Sequence, residues 1–131
     1  MKIPELKIGE LTAKMPVVQG GMGVRVSLSS LASAVANEGG IGTISSIGLG
    51  QTEASKEKFE QICREALTVE IRKAKQMTTG LLAVNIMGVL SNAKDLVKTS
   101  VREGIKIIFF GAGLPTKLPL WVNDSSVNLV P

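Results

Sequence analysis

The sequence predicts an α/β fold built on a parallel sheet. Short apolar runs rich in β-branched residues recur at Met15–Gln19, Ile41–Ile47, Leu81–Met87 and Ile105–Phe110, and Val127–Val130 reads as the start of a fifth. They are nearly continuous rather than alternating, the pattern of strands buried on both faces. Between them lie stretches of helical apolar spacing, long enough for right-handed crossovers. Two architectures satisfy this, an open doubly wound sheet or a (β/α)8 barrel. The strand starts fall about 28 residues apart, so eight units need well over 200 residues. A chain of 131 residues therefore holds about four βα units and the start of a fifth strand.

Each element has its own justification. Met15–Gln19 is the first strand, broken by Gly20-Gly21-Met22-Gly23. A helix follows over about Leu28–Glu38, with Ser27 or Ser29 as cap and Leu28, Leu31, Ala32 and Val35 on one face. Gly39-Gly40 supplies its stop. Ile41–Ile47 is the second strand, ended by Gly48-Leu49-Gly50. Ser55–Met77 carries apolar residues at Phe59, Ile62, Cys63, Ala66, Ile71, Ala74 and Met77, which fits one long helix or two joined near Leu67–Val69. Lys75 suits the negative helix end. Cys63 reads as a small buried hydrophobe. Leu81–Met87 is the third strand, closed by Gly88. The next helix runs over about Ala93–Glu103, with Asn92 and Asp95 as a capping box, a stripe of Leu96, Val97 and Val101, and Gly104 as the stop. Ile105–Phe110 is the fourth strand, and a short turn near Leu118–Val122 precedes the fifth.

Composition narrows the chemistry. Fifteen Lys and Arg against eleven Asp and Glu give a net charge of +4, and 44% hydrophobic residues suffice for a core. The chain has no His, which excludes a Ser-His-Asp triad and a His-based metal site from its own residues. One Cys excludes a disulfide framework and Cys-cluster metal sites. Aromatic residues are 3% and Tyr is absent, while the basic residues are interspersed with acids, so no nucleic-acid partner is read. Met1–Glu10 lacks the apolar core of a signal peptide, and no apolar stretch is long enough to span a bilayer. The reading is a cytoplasmic protein with a small-molecule substrate and no membrane partner.

In either architecture the ligand site lies beyond the C-terminal ends of the strands. These ends read Gln19-Gly20-Gly21-Met22-Gly23, Ser45-Ser46-Ile47-Gly48, Asn85-Ile86-Met87-Gly88 and Gly111-Ala112-Gly113. Small residues let backbone approach a flat ligand, and Gly20, Gly21 and Gly23 are expected to offer unobstructed N–H groups. Met22 offers a soft contact for a ring system. The Asn85 carboxamide both donates and accepts, and inside an apolar strand it needs a partner. No stretch matches the dinucleotide fingerprint or a P-loop.

These blocks carry a resemblance. Pro16-Val17-Val18-Gln19-Gly20-Gly21-Met22-Gly23 and Leu31–Gly42 resemble the opening of the nitronate monooxygenase family, formerly 2-nitropropane dioxygenase, which includes FMN-dependent enoyl-ACP reductases. Glu70–Lys75 with Val84-Asn85-Ile86-Met87, then Phe110–Pro115, then Leu129-Val130-Pro131, follow the same family in order and register. The resemblance implies the N-terminal half of a TIM-like (β/α)8 barrel, with residues 1–131 as the N-terminal part of a flavin-binding domain, truncated at the fifth strand. It implies FMN as cofactor, with Gly21, Met22, Gly23 and Asn85 at the flavin and Gly111, Ala112 and Gly113 lining the substrate cavity. It implies oxidation of alkyl nitronates by O2 to a carbonyl compound and nitrite; the alternatives are an enoyl-ACP reductase-like protein and a non-catalytic, partner-dependent module. The family's catalytic His lies in a Gly-Gly-His block after a later strand, so no catalytic residue and no metal ligand are assigned here. FMN binding by this chain alone is expected to be weak or absent, and the open barrel edges to favour self-association or a complementing chain.

Overall fold

A computed structural model describes residues 3–50 and 55–131. A hairpin of two short strands, β1 (Leu6–Ile8) and β2 (Leu11–Ala13), leads in, turning at Gly9 with φ of +56°. Then follow α1 (Ser29–Asn37), β3 (Ile41–Ser45), α2 (Lys56–Met77), β4 (Leu81–Met87), α3 (Ala93–Arg102), β5 (Ile107–Gly111), a 3-10 turn (Pro115–Lys117), α4 (Leu118–Trp121) and β6 (Asn128–Val130). Strands β3, β4, β5 and β6 form one parallel sheet in that order.

The order separates the two candidate architectures. A doubly wound sheet reverses its strand order at a switch point and carries helices on both faces. Here each crossover steps one strand in the same direction, and the helices cover one face. Ile44, Val84, Ile86, Ile108 and Phe110 point outward into the core shared with Cys63, Leu67 and Ile71 of α2 and Leu96 and Val97 of α3. The opposite face carries Ile41, Ala83 and Ile107. This is a partial barrel, four strands with their helices outside and the barrel interior on the concave side.

The predicted first strand is corrected. Residues Met15–Gln19 form a single parallel bridge, Val18 to Ile41, rather than a strand. Pro16 brings no N–H, and the Val17 N–H turns back to the Met15 carbonyl at 2.8 Å. Only the Val17 carbonyl and the Gln19 N–H reach Ile41, at 2.9 and 3.0 Å. The hairpin β1–β2, which patterning did not reveal, lies across the N-terminal ends of the strands. Its Ala13 joins Ile41, Ala83 and Ile107 in a second small core, with Leu6, Ile8 and Leu11 packed around it. Gly9 presses against the Asn128 carboxamide of β6, leaving no room for a Cβ.

The helices bear out the pattern with shifts of face. α2 is one continuous helix, burying Cys63, Leu67, Ile71 and Ala74; Met77, expected on that face, is exposed. α1 buries Ser29, Ala32, Ser33 and Ala36, whereas Leu31 is exposed. Small residues win because α1 sits directly on the sheet, where Gly42 touches the Ala32 carbonyl and Gly80 the Ala36 carbonyl. Neither Ser27 nor Ser29 caps α1, and the Asn92–Asp95 capping box does not form. The Ser29 N–H instead donates to Glu70 Oε2 of α2 at 2.9 Å, and Asp95 pairs with Arg64 of α2 at 3.1 Å. Gly39, at φ +86°, does end α1. Among the described residues no helix is long and apolar enough to cross a membrane.

Candidate functional site

Because the strands are parallel, their C-terminal ends collect at one rim. Ser45 lies beside Asn85, Asn85 beside Phe109, and Met87 beside Gly111. The loops beyond them are tied together. The Gly88 N–H donates to the Gly111 carbonyl at 2.7 Å, and Ser46 binds the Asn85 carbonyl through both its N–H (3.1 Å) and Oγ (2.9 Å). The sequence-predicted residues thus share one end of the sheet, and Gly21 and Asn85 are in contact.

Asn85 resides at the inward-facing end of β4, flanked by outward-facing Val84 and Ile86. Its Nδ2 donates to the Gly21 carbonyl at 3.3 Å. Gly21 packs so closely on the Asn85 side chain that a Cβ there has no space. The three glycines of this loop differ in their surroundings. A Cβ at Gly20 meets nothing within 4 Å, but at Gly23 it lands 2.9 Å from the Ile47 side chain. The Met22 N–H is already taken by Ser27 Oγ at 2.9 Å. Its side chain, 62% exposed, remains available. Across the rim Gly111 is open, Ala112 adopts a left-handed φ of +52°, and Gly113 packs on Gly88. All three are exposed.

Two residues near the rim, Gln19 and Ser27, take roles that the sequence pattern does not reveal. Gln19 Nε2 donates to the Thr43 carbonyl at 3.0 Å, and its Oε1 accepts the Thr43 N–H at 3.1 Å. Buried Ser27 accepts from Gln19 Nε2 at 2.9 Å and donates to the Gly20 carbonyl at 3.1 Å. The available signal was a second carboxamide, Gln19, standing where an apolar run meets a glycine pair, the same cue that marked Asn85.

Exposed Arg25 lies on the loop after Gly23, and no cluster of metal-ligating side chains occurs among the described residues. The shifted carboxylates lie elsewhere. Burial pushes Glu70 up, but hydrogen bonds from Ser29 and the nearby Lys73 ammonium outweigh it and hold the carboxyl below its usual range. Hydrogen bonds from Ser126 and Lys106 lower Asp124 to about 2. Glu103, lowered by its hydrogen bond from Arg72, is the third, and none of them belongs to the C-terminal strand ends. Burial pushes up the thiol of Cys63, on the buried face of α2, in keeping with a packing role.

These residues fit the ring side of a flat heteroaromatic group. Open backbone at Gly20 and Gly111 leaves space for a plane, Met22 offers an apolar contact, and the Asn85 amide supplies a polar edge.

Comparison with known proteins agrees with the fold. A family model described as nitronate monooxygenase matches residues 5–109. FabK from Thermotoga maritima shares 31% identity at a TM-score of 0.70, over 88% of this chain and 33% of that one. A point mutant of the same protein matches with the same identity and TM-score, over 35% of its chain. A Mycobacterium tuberculosis protein, (3aS,4S,5R,7aS)-5-hydroxy-7a-methyl-1-oxo-octahydro-1H-indene-4-carboxyl-CoA dehydrogenase, is 30% identical over 88% of this chain and 29% of its own. The chain spans about a third of the length of these relatives.

Proposed function

Because this chain belongs to the nitronate monooxygenase family, we propose that it supplies the ring-side wall of an FMN site in an oxidoreductase acting on an enoyl thioester. The observation that carries the flavin part is the Asn85 carboxamide held at the rim beneath Gly21, with open backbone at Gly20 and Gly111 around it. The thioester part is supported by the FabK-like enoyl-ACP reductases among its fold relatives and by a relative named for a CoA thioester. Nitronate oxidation is the second reading, favoured by the family model over residues 5–109.

FMN bound at this rim would supply hydride chemistry between a nicotinamide and the substrate. The chain's own residues hold and orient. Asn85 offers a donor and an acceptor to a polar ring edge. Gly21 lets the loop descend onto Asn85, and Met22 and Gly23 continue it as an apolar wall. Gly111, Ala112 and Gly113 form the far wall of the substrate cavity. No residue here is assigned a proton-transfer role. The partner is a small molecule in the cytoplasm, with a second copy or a complementing chain at the open sheet edges.

A chimera tests the reading, with this chain replacing the matching N-terminal third of Thermotoga FabK. Retained flavin, together with nicotinamide-dependent reduction of a crotonyl thioester outpacing nitrite release from propyl nitronate, is the expected outcome. Faster nitrite release selects the nitronate reading. A colourless but folded chimera overturns the flavin site.

A further inference from the structure

The segment Val17–Gln19 pairs with β3 for one bridge and then departs. In a continuing parallel ladder the next partner of Thr43 would be the peptide groups of Gln19 and Gly21. The Gln19 side chain takes that place. Its carboxamide, chemically a peptide unit, accepts the Thr43 N–H at 3.1 Å and donates to the Thr43 carbonyl at 3.0 Å. The ladder is completed by a side chain, and the main chain is released to cross the rim toward β4.

The released loop is closed by Ser27, which is 1% exposed. Its hydroxyl accepts from the Met22 N–H (2.9 Å) and from Gln19 Nε2 (2.9 Å), and donates to the Gly20 carbonyl (3.1 Å). That uses the one donor and both acceptor sites of a hydroxyl. The main chain reinforces the closure, with the Ser27 N–H on the Met22 carbonyl at 3.0 Å and the Ser45 N–H on the Ser27 carbonyl at 2.8 Å. The loop between Gly20 and Val26 therefore hangs from two side chains whose polar atoms are engaged within the fold.

We propose that Gln19 and Ser27 are positioning residues, which fix the Gly20–Val26 loop so that Gly21 rests on the Asn85 side chain and Met22 follows it, exposed, at the rim. The loop geometry is independent of any ligand; its consequence for flavin rests on the function proposed above.

Amide hydrogen exchange on the chain separates the two. In Ser27→Ala and Gln19→Ala, exchange at Met22 accelerates at least tenfold, and in Gln19→Ala exchange at Thr43 accelerates as well. Val84 and Ile108, in the centre of the sheet, keep their protection. Unchanged exchange at Met22, or equal acceleration at Val84 and Ile108, overturns the proposal. Gln19→Glu keeps the shape and the acceptor but removes the amide donors, and is expected to free Met22 less than Gln19→Ala. An FMN titration in the chimera adds the second arm. Weakened flavin affinity and a shifted visible band in Ser27→Ala are expected. Equal affinity and band in wild type and variant remove the flavin consequence, and a wild type without flavin removes the proposed function while the exchange result stands.

Discussion

Asn85 shows what a single residue betrays in sequence. An amide within Leu-Leu-Ala-Val-Asn-Ile-Met is anomalous enough to demand a partner, and the structure supplies one in the Gly21 carbonyl. Gln19 carries the same side-chain chemistry but was absorbed into a strand, because its role depends on Thr43, which the linear pattern does not place beside it. Ser27 reads in sequence as one of two candidate helix caps for the same reason; its three partners are set by how the loop closes. Asn85→Ala is expected to raise the FMN dissociation constant about tenfold, the worth of one or two polar contacts, while costing the fold about 1 kcal/mol or less. Flavin titration of the chimera, alongside urea denaturation of the chain, checks both numbers. Unchanged affinity would falsify the role given to this amide.

At the level of elements, legibility followed independence from tertiary context. β4 was read to its exact ends, since a continuous apolar run between Gly80 and Gly88 leaves little choice. The hairpin β1–β2 was not read, because three-residue strands gain their stability from packing on Ile41, Ala83 and Ile107 rather than from their own pattern. The first strand failed on Pro16. α1 turned its small face inward because Gly42 and Gly80 admit a close approach, a fact that hydrophobicity alone does not encode. The same helix has its N-terminus served by another helix, through Glu70. The folded pKa of Glu70 is depressed, so its contribution is fully present above the ordinary carboxylate value of 4.5 and is lost as pH falls through the folded value. Glu70→Ala is expected to lower stability at pH 7 by about 1 kcal/mol, with the gap to wild type closing below pH 4.5. Denaturant midpoints measured at pH 7 and at pH 3 test this, and a gap that stays constant counts against it.

For the whole molecule, spacing predicted parallel strands and crossovers but left two architectures open. Strand order decided between them, and order is a long-range property. Two sheet margins stay unpaired among the described residues, the Val17–Gln19 segment and β6. Beside the first lies an apolar surface of Met15, Val17 and Val35, with Val17 51% exposed. The association proposed for these edges predicts a sedimentation coefficient that rises with protein concentration. Val17→Lys should suppress that rise without changing the circular dichroism, since Val17 contributes only its main chain to β3. A concentration-independent monomer sinks the proposal.

The contact between Gly9 and Asn128 joins residues near opposite ends of the chain. Closing so large a loop costs entropy that only an assembled sheet can return. Made before β6, the hairpin β1–β2 meets its full binding surface only once β6 has followed it. The hairpin is thus made before the surface it docks on, and its contact with Asn128 reports that β6 is in place.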